Sequence, residues 1–287
     1  MNRNHLIGIL YILSAYLFFT LMYLLTRYAS VRISLGSILF FQNIIGLLTL
    51  LPWLIHYGTS LLRTDNFGLI LFRSIVSLSS ILLSFIAVQK ISLVDTMLFN
   101  NSSPLWLPFI FLLWRKIPIN HRLWPGIIAG FLGILFILQP GKEALHVGSV
   151  FALASGILAS INMVSLRLLS HTERNHTVMF YYFVICSILC LPVSVLTWRQ
   201  PGFVEWVQIL GAGILFALGQ WAFVRAFHYA KATLLGPFSY AAVVYAMLLD
   251  WWIYNQTPNY LAWIGIPLIC LGGIWAIRFS ESKVSPS

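Results

Sequence analysis

The stretch Asn100-Asn101-Ser102-Ser103-Pro104 interrupts an apolar run that extends from Leu93 to Trp114. The run has the length and composition of a membrane span, which places the polar cluster near the middle of the bilayer. Hydrocarbon offers no hydrogen-bond partner, so such a cluster is tolerated only where its amides and hydroxyls face other protein groups or a wet cavity. Pro104 has no backbone N–H, so the carbonyl of Asn100 loses its helical partner. This stretch is therefore a candidate polar lining for a central pathway.

The composition around this stretch is that of an integral membrane protein. Of the 287 residues, 60% are hydrophobic and 8% are charged, and the mean hydropathy is +0.88, which excludes a soluble domain. The formal net charge is +10, but the basic residues are scattered singly at predicted helix ends. The sequence has no basic helix of the kind that nucleic-acid binders use, so we expect a lipid bilayer and no nucleic acid as partner.

Because a spanning helix needs ~20 residues, the sequence predicts ten membrane helices joined by short loops. Their predicted ranges are 5–28, 33–57, 67–89, 93–114, 123–139, 146–170, 177–198, 203–229, 233–254 and 260–279. With the N-terminus in the cytoplasm, nine Lys and Arg residues fall on the cytoplasmic side and five on the other. This bias predicts that both termini are cytoplasmic.

The two halves of the sequence repeat each other. Arg27 and Arg167 are 140 residues apart, as are Pro52 and Pro192, whereas Gly133 and Gly272 are 139 apart. A repeat of five helices is odd, so its two copies must enter the membrane in opposite senses. This is the inverted-repeat plan of many secondary transporters, whose substrate site lies at the repeat interface. The predicted repeats are residues 1–142 and 143–287, and the same pattern relates the opening stretch to the helix 9 region around Gly236 to Tyr240.

This layout resembles the drug/metabolite transporter superfamily, EamA type. The resemblance rests on an alanine near the end of predicted helix 3, a polar, proline-containing helix 4 and a glycine-rich helix 5, each echoed in the second half. The residues concerned are Ala87, Pro104, Gly126, Gly130 and Gly133, and then Ala226, Pro237, Gly265, Gly272 and Gly273. It implies a single-chain transporter of small metabolites in the bacterial inner membrane, with a cavity walled by helices 1, 3, 4, 6, 8 and 9. Family members often end helices 4 and 9 with Gly-Glu, whereas Arg115-Lys116 and Tyr254-Asn255 stand here.

Arg73 is the leading candidate for substrate contact, because a charge two turns into helix 3 is costly unless it is paired or hydrated. Its planar fork suits a carboxylate or a phosphate, although a snorkelling or structurally paired arginine is the alternative. Arg225 lies nearer a helix end and snorkels more easily. Polar and aromatic residues at mid-depth complete the candidate cavity. They are Asn100, Asn101, Ser103, Trp106, Asn162, Gln220, Trp221, Ser239, Tyr240 and Tyr245.

Four charged residues are candidates for coupling or gating, namely Asp95, Asp250, Arg27 and Arg167. Asp95 starts helix 4 and is equally suited to capping it. With so few embedded acids, facilitated transport or exchange stands beside proton coupling. Pro104 and Pro237 are the predicted hinges of an alternating-access cycle. His171 and His176 lack further ligands, so we expect no metal site. We also expect no cofactor and no catalytic residues.

Two other classes of protein remain as alternatives. A polytopic membrane enzyme would need a nucleophile beside a base, and Ser155-Gly156 with His228 is the nearest approach in this sequence. A membrane sensor or assembly subunit would need a partner domain or tail. We therefore expect an all-α transporter, monomeric or homodimeric, that moves an amino acid, a nucleobase-containing compound or a zwitterionic solute.

Overall fold

The chain is described by a computed structural model over residues 3–58, 62–88, 90–91, 96, 99–115, 121–138, 147–254 and 260–279. Within this part the secondary structure is helical. We number the main helices as follows: α1 Arg3–Ala29, α2 Leu35–Tyr57, α3 Phe67–Val88, α4 Ser103–Arg115, α5 Trp124–Leu138, α6 Val147–Thr172, α7 Asn175–Leu196, α8 Phe203–Tyr229, α9 Ala241–Tyr254 and α10 Tyr260–Phe279. Short helical turns at His121–Leu123 and Ala232–Leu235 precede α5 and the helix 9 region.

Most of these helices have the length and composition of membrane spans. In the described residues, seven segments are long and apolar enough to cross a bilayer, and three more are shorter apolar helices. Leu196 and Trp252 expose 85% and 81% of their surface. Apolar side chains this exposed would be a liability in water, but they suit contact with lipid tails. The exposed apolar side chains of the helices are thus suited to contact with lipid.

Helices 4 and 9 differ from the sequence prediction, because both are interrupted. A turn at Asn101 and Ser102 precedes α4, so Pro104 lies in the first turn of a helix, where its missing N–H is harmless. The continuous helix predicted over 93–114 is therefore wrong at this turn. In the second half, a 3₁₀ segment spans Gly236–Tyr240 and α9 starts at Ala241. Pro237 lies at the start of that segment, and the 139-residue offset pairs it with Leu98 rather than with Pro104.

The chain divides into two compact units. Unit 1 contains Met1–Ile9, Val76–Ser165 and Tyr229–Ser287, and unit 2 contains Leu10–Ile75 and Leu166–His228. Each unit draws segments from both predicted repeats, because α2 packs on α7 in unit 2 and α5 packs on α10 in unit 1. The predicted boundary between residues 142 and 143 stays a prediction.

Within unit 2, the packing of α2 on α7 shows that the repeat is inverted. Gly36, near the start of α2, contacts Val193 near the end of α7, so the helices run antiparallel. The 140-residue offset relates Gly36 to His176 and Val193 to Trp53. Trp53 in fact stacks on His176, with 3.5 Å between the ring centroids. Equivalent residues thus make equivalent contacts at opposite ends of the pair, as a two-fold relation requires.

Within unit 1, the pair formed by α5 and α10 repeats this relation. Gly126 lies against Gly272, and Gly133 lies against Gly265. The offset of 139 residues turns the first contact into the second, because it relates Gly126 to Gly265 and Gly133 to Gly272. Small residues at these crossings let the two backbones approach closely. These glycines therefore serve the packing of α5 on α10.

Candidate substrate site

Arg73 lies in the second turn of α3, in unit 2, and is completely buried. Its guanidinium carbon is 4.8 Å from the centroid of the Tyr182 ring on α7. Its Nη2 donates to Oε1 of Gln220 on α8 over 3.5 Å, the long end of hydrogen bonding. A cation is favourably placed over an aromatic face. The side chain is therefore held by a ring and an amide.

The other two guanidinium nitrogens of Arg73 have no partner among the residues that the structure describes. Nε and Nη1 are buried and donate no hydrogen bond to the described residues. No described carboxylate lies within ion-pair distance of Arg73. Among the described residues, an ion pair joins Arg32 to Glu205 instead. A buried charge is expensive unless it is paired and hydrogen-bonded. Arg73 thus presents two donors and a positive charge suited to an anionic or carbonyl-rich ligand.

Tyr182 was missed by the sequence reasoning, although it is the aromatic residue that contacts Arg73. It is buried together with Cys186, whose Sγ lies 3.9 Å from the carbonyl oxygen of Ser74. Helix 7 was not among the expected cavity helices, and one tyrosine among many aromatic residues gives no distinct signal. The repeat offers one weak clue, since the 140-residue offset pairs Tyr182 with the buried polar Gln42.

Trp221 and Arg225 lie four residues apart on α8 and therefore on one face of the helix. Trp221 meets Tyr11 of α1 edge to face, with 5.5 Å between the ring centroids. The guanidinium carbon of Arg225 is 5.6 Å from the Trp221 ring and 5.7 Å from the Tyr11 ring. All three side chains are half-buried. A second cationic and aromatic cluster thus lies in unit 2, beyond Gln220 on α8.

Arg27 and Arg167, the predicted gating pair, occupy different environments. Arg167 Nη1 and the Ser170 hydroxyl both donate to the backbone carbonyl of Phe227, in the last turn of α8. Carbonyls there lack helical partners and carry partial negative charge, so a cationic donor stabilises them. Arg27 is exposed in the last turn of α1. Arg167 therefore anchors the end of a helix within unit 2, and its predicted gating role stays a prediction.

In unit 1, the Asn100 side chain lies in a polar network with α3 and α6. Its Nδ2 donates to Ser84 Oγ over 2.7 Å and to Ser155 Oγ over 3.0 Å. Ser155 Oγ in turn donates to the carbonyl of Ala152, and its own carbonyl accepts from Ser80 Oγ. Both amide hydrogens of Asn100 are thus engaged by protein groups. The network fixes the end of the helical segment that precedes the Asn101 turn.

Ser102, Ser103 and Trp106 surround the start of α4. Ser102 Oγ donates to the carbonyl of Phe99 and accepts from Trp106 Nε1. The Ser103 side chain is buried, and its carbonyl accepts from Ser160 Oγ of α6 over 2.5 Å. Asn101 is half-buried in the turn. The polar stretch therefore satisfies its own turn and packs against α6, which is how a broken helix is tolerated in a bilayer.

The helix 9 candidates lie in the 3₁₀ segment and the first turns of α9. Tyr240 is fully buried with its ring against Gly130 of α5, and its hydroxyl lies 3.5 Å from the carbonyl of Ile127. The buried Ser239 Oγ has no hydrogen-bond partner among the described residues, and the same is true of Asn162 Oδ1 on α6. Tyr245 is half-buried on α9.

The structure thus brings together Arg73 with Gln220 in unit 2, and Asn100 with α3 and α6 in unit 1. Asp95 lies outside the described residues. Asp250 belongs to α9, but its side chain lies outside the described part of the structure. Among the residues that are described, groups of His, Cys, Asp or Glu suited to a metal ion are not found.

The helical fold, the inverted contacts and the buried polar side chains define an integral membrane transporter built from two five-helix repeats. The model of the EamA-like transporter family matches residues 6–139 and again residues 146–278. The chain belongs to the EamA-like transporter family. The predicted fold class, an all-α membrane protein of ten helices in two inverted repeats, is confirmed.

Similar proteins are transporters of different small molecules. A riboflavin transporter of Vibrio cholerae is 27% identical over 98% of this chain and 96% of its own length. The pseudopaline exporter CntI of Pseudomonas aeruginosa is 25% identical over 96% of each chain. An S-adenosylmethionine uptake transporter of Rickettsia conorii is 23% identical over 90% of this chain and 88% of its own. The chain is accordingly a small-metabolite transporter and not an enzyme, so the alternative built on Ser155 and His228 falls.

A solved crystal structure supports the fold. It aligns with a TM-score of 0.79 over 96% of this chain and 99% of that one, at 19% sequence identity. A likeness at this identity shows the fold alone.

Proposed function

We propose that this protein moves a small polar or amphoteric metabolite across the bacterial inner membrane by alternating access, with both termini in the cytoplasm. The cargo is an amino acid, a nucleobase-containing compound or a zwitterionic solute. The observation that carries the proposal is the buried Arg73, whose Nε and Nη1 have no partner among the described residues. A cargo carboxylate, phosphate or ring carbonyl would take those donors and offset the expense of the buried charge.

The immediate neighbours of Arg73 indicate what else the cargo carries. The Tyr182 ring and the Gln220 amide flank the guanidinium. An aromatic face suits a planar ring, and an amide offers both a donor and an acceptor to a polar ring edge. The chemistry at Arg73 therefore favours a metabolite that combines a planar ring with an acidic or carbonyl-bearing group.

The cargoes named for the relatives fit this description. Riboflavin has a planar ring system edged with carbonyls, and S-adenosylmethionine joins an adenine ring to a zwitterionic amino-acid group. Both are therefore sensible first compounds to test. In this proposal Asn100, Asn101, Ser103, Trp106 and Asn162 line the pathway within unit 1. Ser239, Tyr240 and Tyr245 also belong to that lining, with Pro104 and Pro237 as hinges.

The proposed coupling rests on a small number of residues. Asp95 and Asp250 are the candidate proton carriers, and Arg27 and Arg167 are the candidate gate residues. If transport continues when both aspartates are replaced, the mechanism is facilitated diffusion or exchange. The experiment replaces Asp95 and Asp250 by Asn and compares uptake with and without a proton gradient, which separates these mechanisms from proton coupling.

The test is transport by the purified protein in sealed liposomes. We expect uptake of labelled riboflavin, S-adenosylmethionine or another ring-bearing metabolite from a broad panel. Arg73→Gln should lower the transport rate at least tenfold, because the ligand loses a charge-assisted hydrogen bond of about 1.5–3 kcal/mol. Arg73→Lys keeps the charge but not the planar fork, so it should restore only part of the rate.

The matched control is Arg174→Gln, since Arg174 is exposed and its side chain makes no capping hydrogen bond to α7. This variant should transport at the wild-type rate. Every variant is first checked for a single peak in size-exclusion chromatography and an unfolding temperature near that of the wild type. Wild-type transport by the folded Arg73→Gln variant removes Arg73 from the site, and no transport of any panel compound by the wild type overturns the proposed function.

A further inference from the structure

The cluster of Tyr11, Trp221 and Arg225, which we call the Arg225 site, has the composition of a ligand site. The guanidinium carbon of Arg225 lies 5.6 Å and 5.7 Å from the two ring centroids. The rings themselves meet edge to face, at an interplanar angle of 81°. A guanidinium held over aromatic faces keeps its in-plane donors directed outward. Such a fork binds a planar anionic group through two parallel hydrogen bonds.

Arg225 has no described counter-ion, and a second arginine, Arg167, lies in the same region of unit 2. Arg225 Nε is buried without a hydrogen-bond partner in the described part of the chain. His228 lies within electrostatic range of both Arg225 and Arg167, so two cations lie in this region of unit 2. An arginine that only snorkels would direct its charge into water, whereas this one lies over two rings. The cluster therefore attracts anions.

The Arg225 site is separate from Arg73. Gln220, which contacts Arg73, precedes Arg225 by five residues on α8, a distance of about 7.5 Å along the helix axis. The residues of the Arg225 site are half-buried, whereas Arg73 is fully buried. The Arg225 site therefore keeps exposed surface that Arg73 lacks.

We propose that the Arg225 site is a second binding site in unit 2, which holds the anionic oxygen group of a ring-bearing metabolite against Tyr11 and Trp221. The inference rests on the proposed function, because it assigns this site to the same cargo. In this inference the cargo binds at the Arg225 site either before it reaches Arg73 or after it leaves Arg73. A cation close to the helix end also raises the local concentration of anionic solutes.

The experiment compares two probes with the same ring. Anthranilate carries a carboxylate, whereas its neutral analogue 2-aminobenzamide carries an amide, and both are fluorescent. Binding to the full-length protein in nanodiscs is measured by equilibrium dialysis. We expect anthranilate to bind about tenfold more tightly than 2-aminobenzamide, as one charge-assisted hydrogen bond supplies. Arg225→Gln should abolish this preference, whereas Arg73→Gln should keep it.

A third variant tests the aromatic half of the site. Trp221→Leu should weaken both probes by a similar factor, because it removes ring contact without changing charge. It also keeps the proposal falsifiable if Arg225→Gln does not fold, since unchanged binding of both probes to Trp221→Leu would refute the site. Arg174→Gln serves as the charge-matched control and should leave both affinities unchanged.

Equal affinity of the wild type for the two probes overturns the proposal, and so does a preference that survives in Arg225→Gln. A preference lost only in Arg73→Gln assigns the anion to Arg73 and also refutes the Arg225 site. Failure of this proposal is distinguishable from failure of the proposed function. The dialysis experiment requires no transport, and the liposome experiment requires no binding of anthranilate.

Discussion

Gly126 of α5 and Gly272 of α10 are in backbone contact, since a Cβ atom added at Gly126 would lie 2.9 Å from the carbonyl oxygen of Gly272. A backbone carbonyl in a helix cannot rotate away as a flexible side chain does. The contact between Gly133 and Gly265 is its counterpart under the repeat. The pair formed by α5 and α10 is thus held at two crossings where a side chain larger than hydrogen does not fit.

Gly126→Ala should therefore destabilise the protein, by roughly 1–3 kcal/mol as overpacking usually does. The intrinsic preference of helices for alanine over glycine, about 1 kcal/mol, acts in the opposite direction. Gly68→Ala in α3 is the control, because nothing lies within 4 Å of its added Cβ. Thermal unfolding in detergent measures both variants. An equal or higher unfolding temperature for Gly126→Ala would contradict the close packing.

The polar network of Asn100 predicts an energetic coupling between two residues distant in sequence. Asn100 Nδ2 donates to Ser155 Oγ over 3.0 Å. Removal of either side chain deprives the other of this hydrogen bond. Asn100→Ala and Ser155→Ala should therefore each destabilise the protein by about 1–2 kcal/mol. The double variant should lose less than the sum, with a coupling of about 0.5 kcal/mol or more. Additive losses in the unfolding measurements would show that the hydrogen bond contributes nothing.

Arg167 predicts a local change in the dynamics of α8. Its guanidinium donates to the carbonyl of Phe227 near the C-terminus of that helix. Arg167→Gln removes the charge that complements the helix end, so amide hydrogen exchange in the last turn of α8 should become faster. Exchange around Gly213, in the middle of the same helix, provides an internal control and should not change. If the terminal amides keep their protection, the anchoring role of Arg167 is wrong.

Periodicity and hydropathy predicted most of the fold. Eight of the ten predicted helices begin and end within two residues of their positions in the structure. The ranges predicted for helices 4 and 9 were continuous, because an apolar run has the same composition whether or not its backbone turns. The predicted hinges Pro104 and Pro237 nevertheless lie beside or within the observed breaks. Hydropathy measures the preference for lipid and does not report the hydrogen bonds that Asn100 and Ser103 form with α3 and α6.

The candidate site was only partly predictable. Arg73 was conspicuous because a charge within a span is rare. Tyr182 was not, since aromatic residues make up 15% of the sequence and only the packing of α7 on α3 distinguishes one from another. The hydrogen bonds of Asn100 with Ser84 and Ser155 depend on how three helical segments are rotated about their own axes. Rotation follows from packing, which a single sequence does not specify.

Two polar ties in unit 2 provide a last prediction, because the repeat relates their positions and their burial differs. Glu173, which is 9% exposed, accepts hydrogen bonds at Oε1 from the Thr64 hydroxyl and from the backbone and side-chain N–H groups of Asn66. Asn66 corresponds to Glu205 under the offset of 139 residues. Glu205 pairs with Arg32 over 3.2 Å, but the Arg32 side chain is 77% exposed.

Glu173→Gln should lower the unfolding temperature clearly, because hydrogen bonds to a charged acceptor contribute about 1.5–3 kcal/mol in a buried setting. The amide oxygen of glutamine can still accept these donors, but it carries no net charge. Arg32→Gln should change stability by less than about 1 kcal/mol, as expected for an exposed ion pair, and raised salt should weaken that small effect further. Thermal unfolding of the two variants at low and high salt measures the difference. A loss in Arg32→Gln as large as that in Glu173→Gln would show that burial does not decide the strength of these ties.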